Sequence, residues 1–151
     1  SEQQISAPTH IFLQAGVGGL AGAAAAMARK IWGDAPVIVV VEPIHAPALH
    51  GCIHAGDFVA AKGPGSAMGR LDCLEASLIA LKGLAKDADV FALISEEEGQ
   101  AGADYAAAHQ MESTPSGAAG LAGLFASPAH RAALKLDANS HVLVILSEGP
   151  E

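Results

Sequence analysis

One run of β-branched residues constrains the fold of this chain more than any other feature. Residues 37–41 read Val-Ile-Val-Val-Val and follow the segment Gly33-Asp34-Ala35-Pro36. An uninterrupted apolar run is typical of a strand that is buried on both faces, and such strands occur in parallel sheets. Gly and Pro before the run mark the end of the preceding element. The sequence therefore predicts a parallel sheet that is covered on both faces.

Strand-like and helix-like segments alternate on both sides of this run. Further strands are predicted at residues 9–14, 90–94 and 141–146. Helices are predicted at residues 17–32, 46–54, 74–85, 96–109 and 116–125. This alternation predicts an α/β fold with three layers, in which a mostly parallel sheet carries helices on both faces. A length of 151 residues suits a single domain over residues 1–151.

Charge and hydropathy argue against two classes of partner. The formal net charge is -8, with only 8 Lys plus Arg, whereas nucleic-acid binding normally needs a basic patch. No apolar run approaches the roughly 20 residues that cross a bilayer. The start, Ser1-Glu2-Gln3-Gln4, lacks the basic and apolar regions of a signal peptide. We therefore expect a cytoplasmic protein with no nucleic-acid or membrane partner.

A glycine-rich segment lies where the first predicted strand meets the first predicted helix. Residues 14–22 read Gln-Ala-Gly-Val-Gly-Gly-Leu-Ala-Gly. Glycine removes the β-carbons that would block an anion, and the free amides of a helix N-terminus favour negative charge. The segment therefore predicts phosphate binding. The alternative is a tight turn whose glycines serve only packing.

A dinucleotide site is a second interpretation of the same loop. Gly16, Gly18 and Ala21 satisfy the pattern G-x-G-x-x-G/A, and Glu42 closes the next strand where a ribose-binding acid is expected. The pattern is short, and many βαβ units with an Ala/Gly-rich helix start can meet it. A nicotinamide or flavin nucleotide is therefore an alternative ligand.

Four segments, taken in order, resemble one enzyme family. Residues 9–22, THIFLQAGVGGLAG, resemble the cofactor-phosphate loop of diaminopropionate ammonia-lyases and their threonine- and serine-dehydratase relatives. Residues 41–43 resemble the next strand end, residues 116–121 a later small-residue helix start, and residues 145–149 the last strand and turn. The chain is thus similar to the C-terminal half of a fold-type II, tryptophan-synthase-β-like, pyridoxal-phosphate enzyme, and the large-domain half of that fold is expected.

The resemblance implies a cofactor and the residues that bind it. These residues are Gly16, Val17, Gly18, Gly19, Leu20 and Ser147. The backbone of the first five would hold the phosphate of pyridoxal phosphate, and Ser147 would meet the pyridine nitrogen. A hydroxyl is a neutral partner, so the ring would be a weaker electron sink than one paired with a carboxylate, which suits elimination. The implied reaction removes ammonia from a small amino acid of the diaminopropionate, threonine or serine type.

The lysine that such enzymes need is missing from its expected place. Pyridoxal-phosphate catalysis requires a lysine amine that forms a Schiff base, and in this family that lysine precedes the phosphate loop. The lysines present are Lys30, Lys62, Lys82, Lys86 and Lys135, none of them in the family's lysine motif. We therefore expect the C-terminal half of a larger enzyme, without a catalytic residue of its own and inactive alone. Its partner would be the missing N-terminal half or, in a homodimer, a second copy.

Two segments depart from the ammonia-lyase pattern. Residues 73–77 read Cys-Leu-Glu-Ala-Ser where those enzymes carry Gly-Glu-Pro-Ser, and residues 114–117 read Thr-Pro-Ser-Gly where they carry Gly-Glu-Ser-Gly. Diaminopropionate is therefore the least supported of the substrates. A non-catalytic interaction domain that keeps the fold is a third interpretation of the chain.

No other pattern in the sequence indicates chemistry. His50 and His54 have the spacing of two metal ligands on a helix, but no carboxylate follows in the zinc-protease arrangement. We expect no metal site. Cys52 and Cys73 lack metal-type spacing and are expected to be free thiols.

Overall fold

The computed structural model describes residues 6–150 and contains a parallel sheet. Its strands are β1 (His10–Gln14), β2 (Val37–Pro43), β3 (Val90–Ile94) and β4 (Val142–Val144). They pair in the order β3-β2-β1-β4, and every pairing is parallel. The predicted sheet is confirmed. β4 is shorter than predicted because only residues 142–144 pair with β1.

Helices connect these strands. They are α1 (Gly19–Trp32), α2 (Ala48–Ala55), α3 (Leu78–Asp87), α4 (Glu96–Ala108), α5 (Ala119–Phe125) and α6 (Arg131–Leu134). α3 begins later than predicted because the Ser77 hydroxyl accepts a hydrogen bond from the backbone N–H of Ala80 at 3.3 Å and caps the helix there. α6 and short 3-10 turns at Gly69–Leu71 and Ser127–His130 were not predicted, since such short elements leave no periodic signal. None of the helices that the structure describes has the length and apolar character needed to span a membrane.

The two central strands are buried on both faces, as their apolar sequences predict. Alternate side chains of a strand point to opposite faces of the sheet. One hydrophobic cluster joins Ile11, Leu13, Ile38 and Val40 to residues of α1, α2 and α3. The other joins Phe12, Val39 and Val41 to residues of α5 and α6. The three-layer architecture is thereby confirmed.

The strand order has a switch point between β1 and β4, because the strands added after β1 lie on one side of it and the last strand lies on the other. From β1 the chain passes to β2 and β3 on one side, and then crosses back to place β4 on the other side of β1. In open parallel sheets, ligands bind in the crevice outside the C-terminal ends of the strands at such a switch point. The topology therefore directs attention to the residues that follow Gln14 and Val144.

Candidate functional site

A cleft of about 360 Å³ lies at this switch point. Its lining comes from residues 14–20, which run from the end of β1 into the start of α1, from Ser116, and from Ser147 and Glu148 after β4. Arg70, Leu71 and Cys73, which precede α3, complete it. All six residues predicted to bind the cofactor line this one cleft. The fold thus brings together a loop and a serine that are far apart in the sequence.

Unpaired backbone amides mark the start of α1. Gly18 is the N-cap residue and offers no side-chain hydrogen bond to the helix. The first bond of the helix runs from the N–H of Gly22 to the carbonyl oxygen of Gly18 at 2.8 Å. Within residues 6–150, no backbone acceptor or side chain pairs with the N–H of Gly16, Gly19 or Leu20. Free amides at a helix N-terminus form a natural site for an anion, because the helix dipole adds positive potential there.

Two glycines in this loop are required by its geometry. Gly18 has φ +106°, and a β-carbon there would lie 3.0 Å from the Ala80 β-carbon and 3.1 Å from Leu49 Cδ1. A β-carbon at Gly16 would lie 2.7 Å from the carbonyl oxygen of Arg70. The loop therefore packs closely against α3 and the 70–73 segment while the amides of Gly16, Gly19 and Leu20 stay free.

Ser147 is held by three hydrogen bonds. Its N–H donates to the carbonyl oxygen of Gly117 at 3.2 Å, and its own carbonyl oxygen accepts from Ser113 Oγ at 2.7 Å. Its hydroxyl oxygen accepts from Gln14 Nε2 at 3.1 Å. The sequence did not indicate Gln14 as a site residue, although a polar side chain that ends a buried apolar strand is a usable signal. Gln14 is only 3% exposed.

A polar cluster beside Ser147 was also not predicted. Glu148 has φ +65°, a conformation that is uncommon for a residue with a side chain. The Thr114 hydroxyl donates to Glu148 Oε2, and Arg70 Nε lies 3.5 Å from Glu148 Oε1. The Arg70 side chain is 81% exposed, so this ion pair adds little stability. These contacts join residues that are distant in the sequence, so no local sequence pattern predicts them.

No lysine lines the cleft that the structure describes. Arg70 is the cationic residue of the lining. The lysines at positions 30, 62, 82, 86 and 135 all lie outside it. The described part of the cleft therefore has no amine that could bind a cofactor covalently.

Glu42 does not have the role that the dinucleotide interpretation required. Its carboxylate is completely buried and accepts the N–H groups of Leu49 at 2.8 Å and His50 at 2.7 Å, so it caps α2. Burial raises the pKa of Glu42 to about 7, although these two hydrogen bonds oppose that shift. With both oxygens engaged and no place in the cleft lining, Glu42 cannot hold a ribose hydroxyl. The nucleotide interpretation is therefore not favoured.

His50, His54 and Cys52 lie in α2, whereas Cys73 precedes α3. The rings of His50 and His54 stack with their centroids 6.2 Å apart. Residues 6–150 contain no group of three or more His, Cys, Asp and Glu that could hold a metal. Cys52 and Cys73 are free thiols. Cys73 lines the cleft, and burial, followed by the nearby Asp72, raises the pKa of its thiol.

The fold and the cleft define an α/β protein with a cleft at the switch point of its sheet, and comparison with known proteins identifies the family. The family described as "Pyridoxal-phosphate dependent enzyme" matches residues 1–148. The chain belongs to this family, and its neighbours are enzymes of fold type II. Pyridoxal phosphate is accordingly the cofactor of the intact enzyme. No curated protein matches the chain.

Solved structures show the same fold. Diaminopropionate ammonia lyase from Escherichia coli, in complex with D-serine, is 26% identical, with a TM-score of 0.82 over 96% of this chain and 39% of that chain. Threonine deaminase isoform 2 from Solanum lycopersicum is 19% identical, with a TM-score of 0.84 over 99% and 42% of the two chains. Serine racemase from Dictyostelium discoideum is 18% identical, with a TM-score of 0.81 over 97% and 45%. The chain thus spans 39 to 45% of the length of these structures.

Proposed function

We propose that this chain forms the cofactor-phosphate half of a pyridoxal-phosphate enzyme that removes ammonia from a small amino acid. In this proposal residues 16–20 bind the phosphate and Ser147 meets the pyridine nitrogen. The observation that carries it is the meeting of this loop and this serine in one cleft at the switch point of the sheet. Neither segment alone would select a phosphate attached to a nitrogen-containing ring.

The cleft fits such a group. A phosphate charge would be offset by the unpaired amides of Gly16, Gly19 and Leu20 and by the dipole of the 14-residue helix α1. No cluster of basic side chains is needed for this. This manner of binding is compatible with the net charge of -8. Arg70 also lines the cleft, but its guanidinium lies 3.5 Å from the carboxylate of Glu148, so this pair adds no net charge. The hydroxyl of Ser147 supplies the second recognition element.

The reaction type follows from the partner of the ring nitrogen. When bound, the cofactor withdraws electrons from the amino-acid carbon next to the amine. Ser147 is a neutral partner, so withdrawal is weaker than with a carboxylate, which favours elimination. We propose a substrate of the threonine, serine or diaminopropionate type, with support from the 26% identity to diaminopropionate ammonia lyase. Two segments depart from the ammonia-lyase pattern, and one residue of each, Cys73 and Ser116, lines the cleft. These two side chains would affect the choice among these substrates.

We propose that polypeptide outside residues 1–151 supplies the amine, and that residues 1–151 form one domain that is inactive alone. An apolar rim beside the cleft, formed by Val17, Leu20, Leu78 and Ile79, is its proposed docking surface. These side chains are 46%, 47%, 48% and 85% exposed, and the two segments are joined by a hydrogen bond from Ser77 N–H to the Val17 carbonyl oxygen at 2.9 Å. Without the lysine-bearing polypeptide, a second copy of the chain would occupy this rim.

Cofactor binding is tested with two probes, inorganic phosphate and 4′-deoxypyridoxine 5′-phosphate, which has no aldehyde and cannot react with amines. Gly18→Ala disturbs the phosphate loop at its positive φ, whereas Gly33→Ala places the same kind of strain at the other end of α1, where φ is +60° and a β-carbon meets nothing within 4 Å. We expect Gly18→Ala to lower the affinity for both probes by about tenfold, which is the equivalent of one charge-assisted hydrogen bond. Gly33→Ala should leave both affinities unchanged. Absence of phosphate binding by the wild type, or equal losses in the two variants, would contradict the proposal.

The partner proposal is tested by sedimentation and by an ammonia assay. We expect the chain alone to self-associate, and Ile79→Glu to make it monomeric because a charge then lies on the apolar rim. A wild-type chain that is monomeric at all concentrations would count against the rim. With pyridoxal phosphate and serine, the chain alone should release no ammonia. Measurable release would contradict the inference that the lysine is supplied by other polypeptide.

A further inference from the structure

We propose that Gln14 is a positioning residue, which directs the hydroxyl hydrogen of Ser147 into the cleft and so makes Ser147 a hydrogen-bond donor to the cofactor ring. The inference rests on the proposed function, in which Ser147 meets the ring nitrogen. It adds a residue that the sequence did not indicate, and it specifies which partner of that hydrogen bond carries the hydrogen.

The orientation of the Gln14 amide is determined by its surroundings. Nε2 lies 3.1 Å from the carbonyl oxygen of Gly117, 3.0 Å from that of Ile145 and 3.1 Å from Ser147 Oγ. Two of these three neighbours are carbonyl oxygens, which can only accept hydrogen bonds. A flipped amide would place its own oxygen against both carbonyls. The NH₂ group must therefore face Ser147.

The other end of the amide shows what this orientation costs. Gln14 Oε1 is buried and has no hydrogen-bond partner among the described residues. It lies against α5 at Gly120, where an added β-carbon would be 3.0 Å away. A buried acceptor without a partner is unfavourable and uncommon in native structures. The arrangement leaves the amide oxygen without a hydrogen bond and keeps the amide nitrogen beside Ser147.

The state of the Ser147 hydroxyl follows from this neighbour. An amide nitrogen donates hydrogen bonds and does not accept them, so the hydrogen of Ser147 Oγ cannot point toward Gln14. Gln14 is the hydrogen-bond partner of this hydroxyl within residues 6–150. The backbone of Ser147 is also fixed, by Gly117 on its N–H side and by Ser113 on its carbonyl oxygen. The hydrogen is thus free to point into the cleft that Ser147 lines.

A hydroxyl that can only donate favours a ring nitrogen that carries no proton. Without Gln14 the hydroxyl could rotate and accept a hydrogen bond, and a protonated ring nitrogen would then be tolerated. Gln14 therefore controls the protonation of the ring through Ser147.

The test measures the pH at which the ring nitrogen of bound 4′-deoxypyridoxine 5′-phosphate takes up a proton, by ultraviolet absorbance. The variants are Gln14→Met, which keeps an unbranched side chain without the NH₂ group, Ser147→Ala, and the double variant. We expect Gln14→Met to raise this pH by about 0.7 units, the equivalent of one neutral hydrogen bond. In the Ser147→Ala background Gln14→Met should have no further effect, since its route of action is gone. Affinity for inorganic phosphate should stay unchanged in all three variants.

A second variant covers the case in which Gln14→Met does not fold. Gln14→Leu likewise removes the NH₂ group and keeps an apolar side chain of similar size in this buried position, and it should raise the protonation pH by a similar amount. An unchanged pH in both Gln14 variants would overturn the inference. A loss of affinity for inorganic phosphate in the Gln14 variants would also overturn it, because such a loss would indicate a merely structural role. Failure of the wild type to bind either probe would overturn the proposed function together with the inference, whereas wild-type binding with an unshifted pH would overturn the inference alone.

Discussion

Gly117 and Ser147 lie in direct backbone contact. The N–H of Ser147 donates to the carbonyl oxygen of Gly117 at 3.2 Å, and a β-carbon at position 117 would overlap the carbonyl oxygen of Ser147. The same oxygen accepts a hydrogen bond from Ser113 Oγ at 2.7 Å. The segment before α5 can therefore lie directly on the residues that follow β4 only because position 117 is glycine. This contact holds the backbone of Ser147 in its position at the cleft.

Replacement of Gly117 by alanine is expected to displace Ser147. The overlap must be relieved by a backbone shift, which should lower the free energy of unfolding by about 1 to 3 kcal/mol. Affinity for 4′-deoxypyridoxine 5′-phosphate should fall, while affinity for inorganic phosphate should change little. Urea unfolding and ligand titration measure the two effects. Gly149→Ala, where a β-carbon meets nothing within 4 Å, is the control, and equal effects of the two substitutions would contradict the prediction.

The contact between α4 and α5 depends on a second glycine. A β-carbon at Gly102 in α4 would lie 2.7 Å from the Ala122 β-carbon in α5, whereas Gly83 in α3 has nothing within 4 Å. Both glycines lie inside helices, so alanine has the same local advantage of about 1 kcal/mol at each position. We expect Gly83→Ala to raise the free energy of unfolding by about that amount. Gly102→Ala should instead lower it by about 1 to 3 kcal/mol, as measured by urea unfolding, and a gain in stability at position 102 would disprove the packing argument.

The stability of the chain should depend on pH through Glu42. Its pKa is about 7 in the folded chain, against 4.5 for a glutamate in water, so between these values the folded chain holds a proton that the unfolded chain has released. Stability is therefore greatest below pH 4.5 with respect to this group and is lost as the pH rises through 7, by at most about 1.4 kcal/mol per pH unit. Glu42→Gln should remove this slope in thermal or urea unfolding between about pH 5 and pH 8.

The contribution of His50 has the opposite sign and must be separated from that of Glu42. Burial, followed by the charge of His54, lowers the pKa of His50. The contribution of His50 to the free energy of unfolding therefore decreases as the pH falls below 6.5. The difference between the wild type and Glu42→Gln is therefore the quantity that reports on Glu42. A difference that does not vary between about pH 5 and pH 7 would show that the buried carboxylate keeps an ordinary pKa.

Arg29 joins three parts of the fold at the end of the sheet away from the cleft. Its guanidinium donates to the carbonyl oxygens of Asp87 at 3.0 Å and Pro36 at 2.8 Å, and to Asp89 Oδ2 at 2.8 Å. Arg29→Met removes these hydrogen bonds, although Asp89 Oδ2 still accepts from the N–H of Ile38, and should lower the free energy of unfolding by about 2 kcal/mol. Lys30→Met, at an exposed neighbouring position, should change it by less than about 0.5 kcal/mol. Phosphate affinity should be the same in both variants, because Arg29 does not line the cleft.

The parts of the fold that could be predicted are those with a local signal. The apolar run of β2 and the glycines before α1 identified a parallel α/β sheet and a candidate phosphate loop, and the family resemblance added Ser147. The start of α3 was predicted too early because Leu74 belongs to the connecting segment and the cap at Ser77 decides where the helix begins. Glu42 was placed in a possible ribose site because its position along the strand suits that role, whereas the fold uses its carboxylate to cap α2.

The amino-acid sequence by itself determined the order of strands and helices, the burial of β1 and β2, and the glycine loop, because each of these depends on residues close together in the chain. Only the tertiary structure decided that Gln14 donates to Ser147, 133 residues away, and that Gly117 lies against the same serine. Such contacts depend on which strand ends meet at the switch point of the sheet. Side chains of this kind carry no periodic pattern, and their roles exist only once the chain has folded.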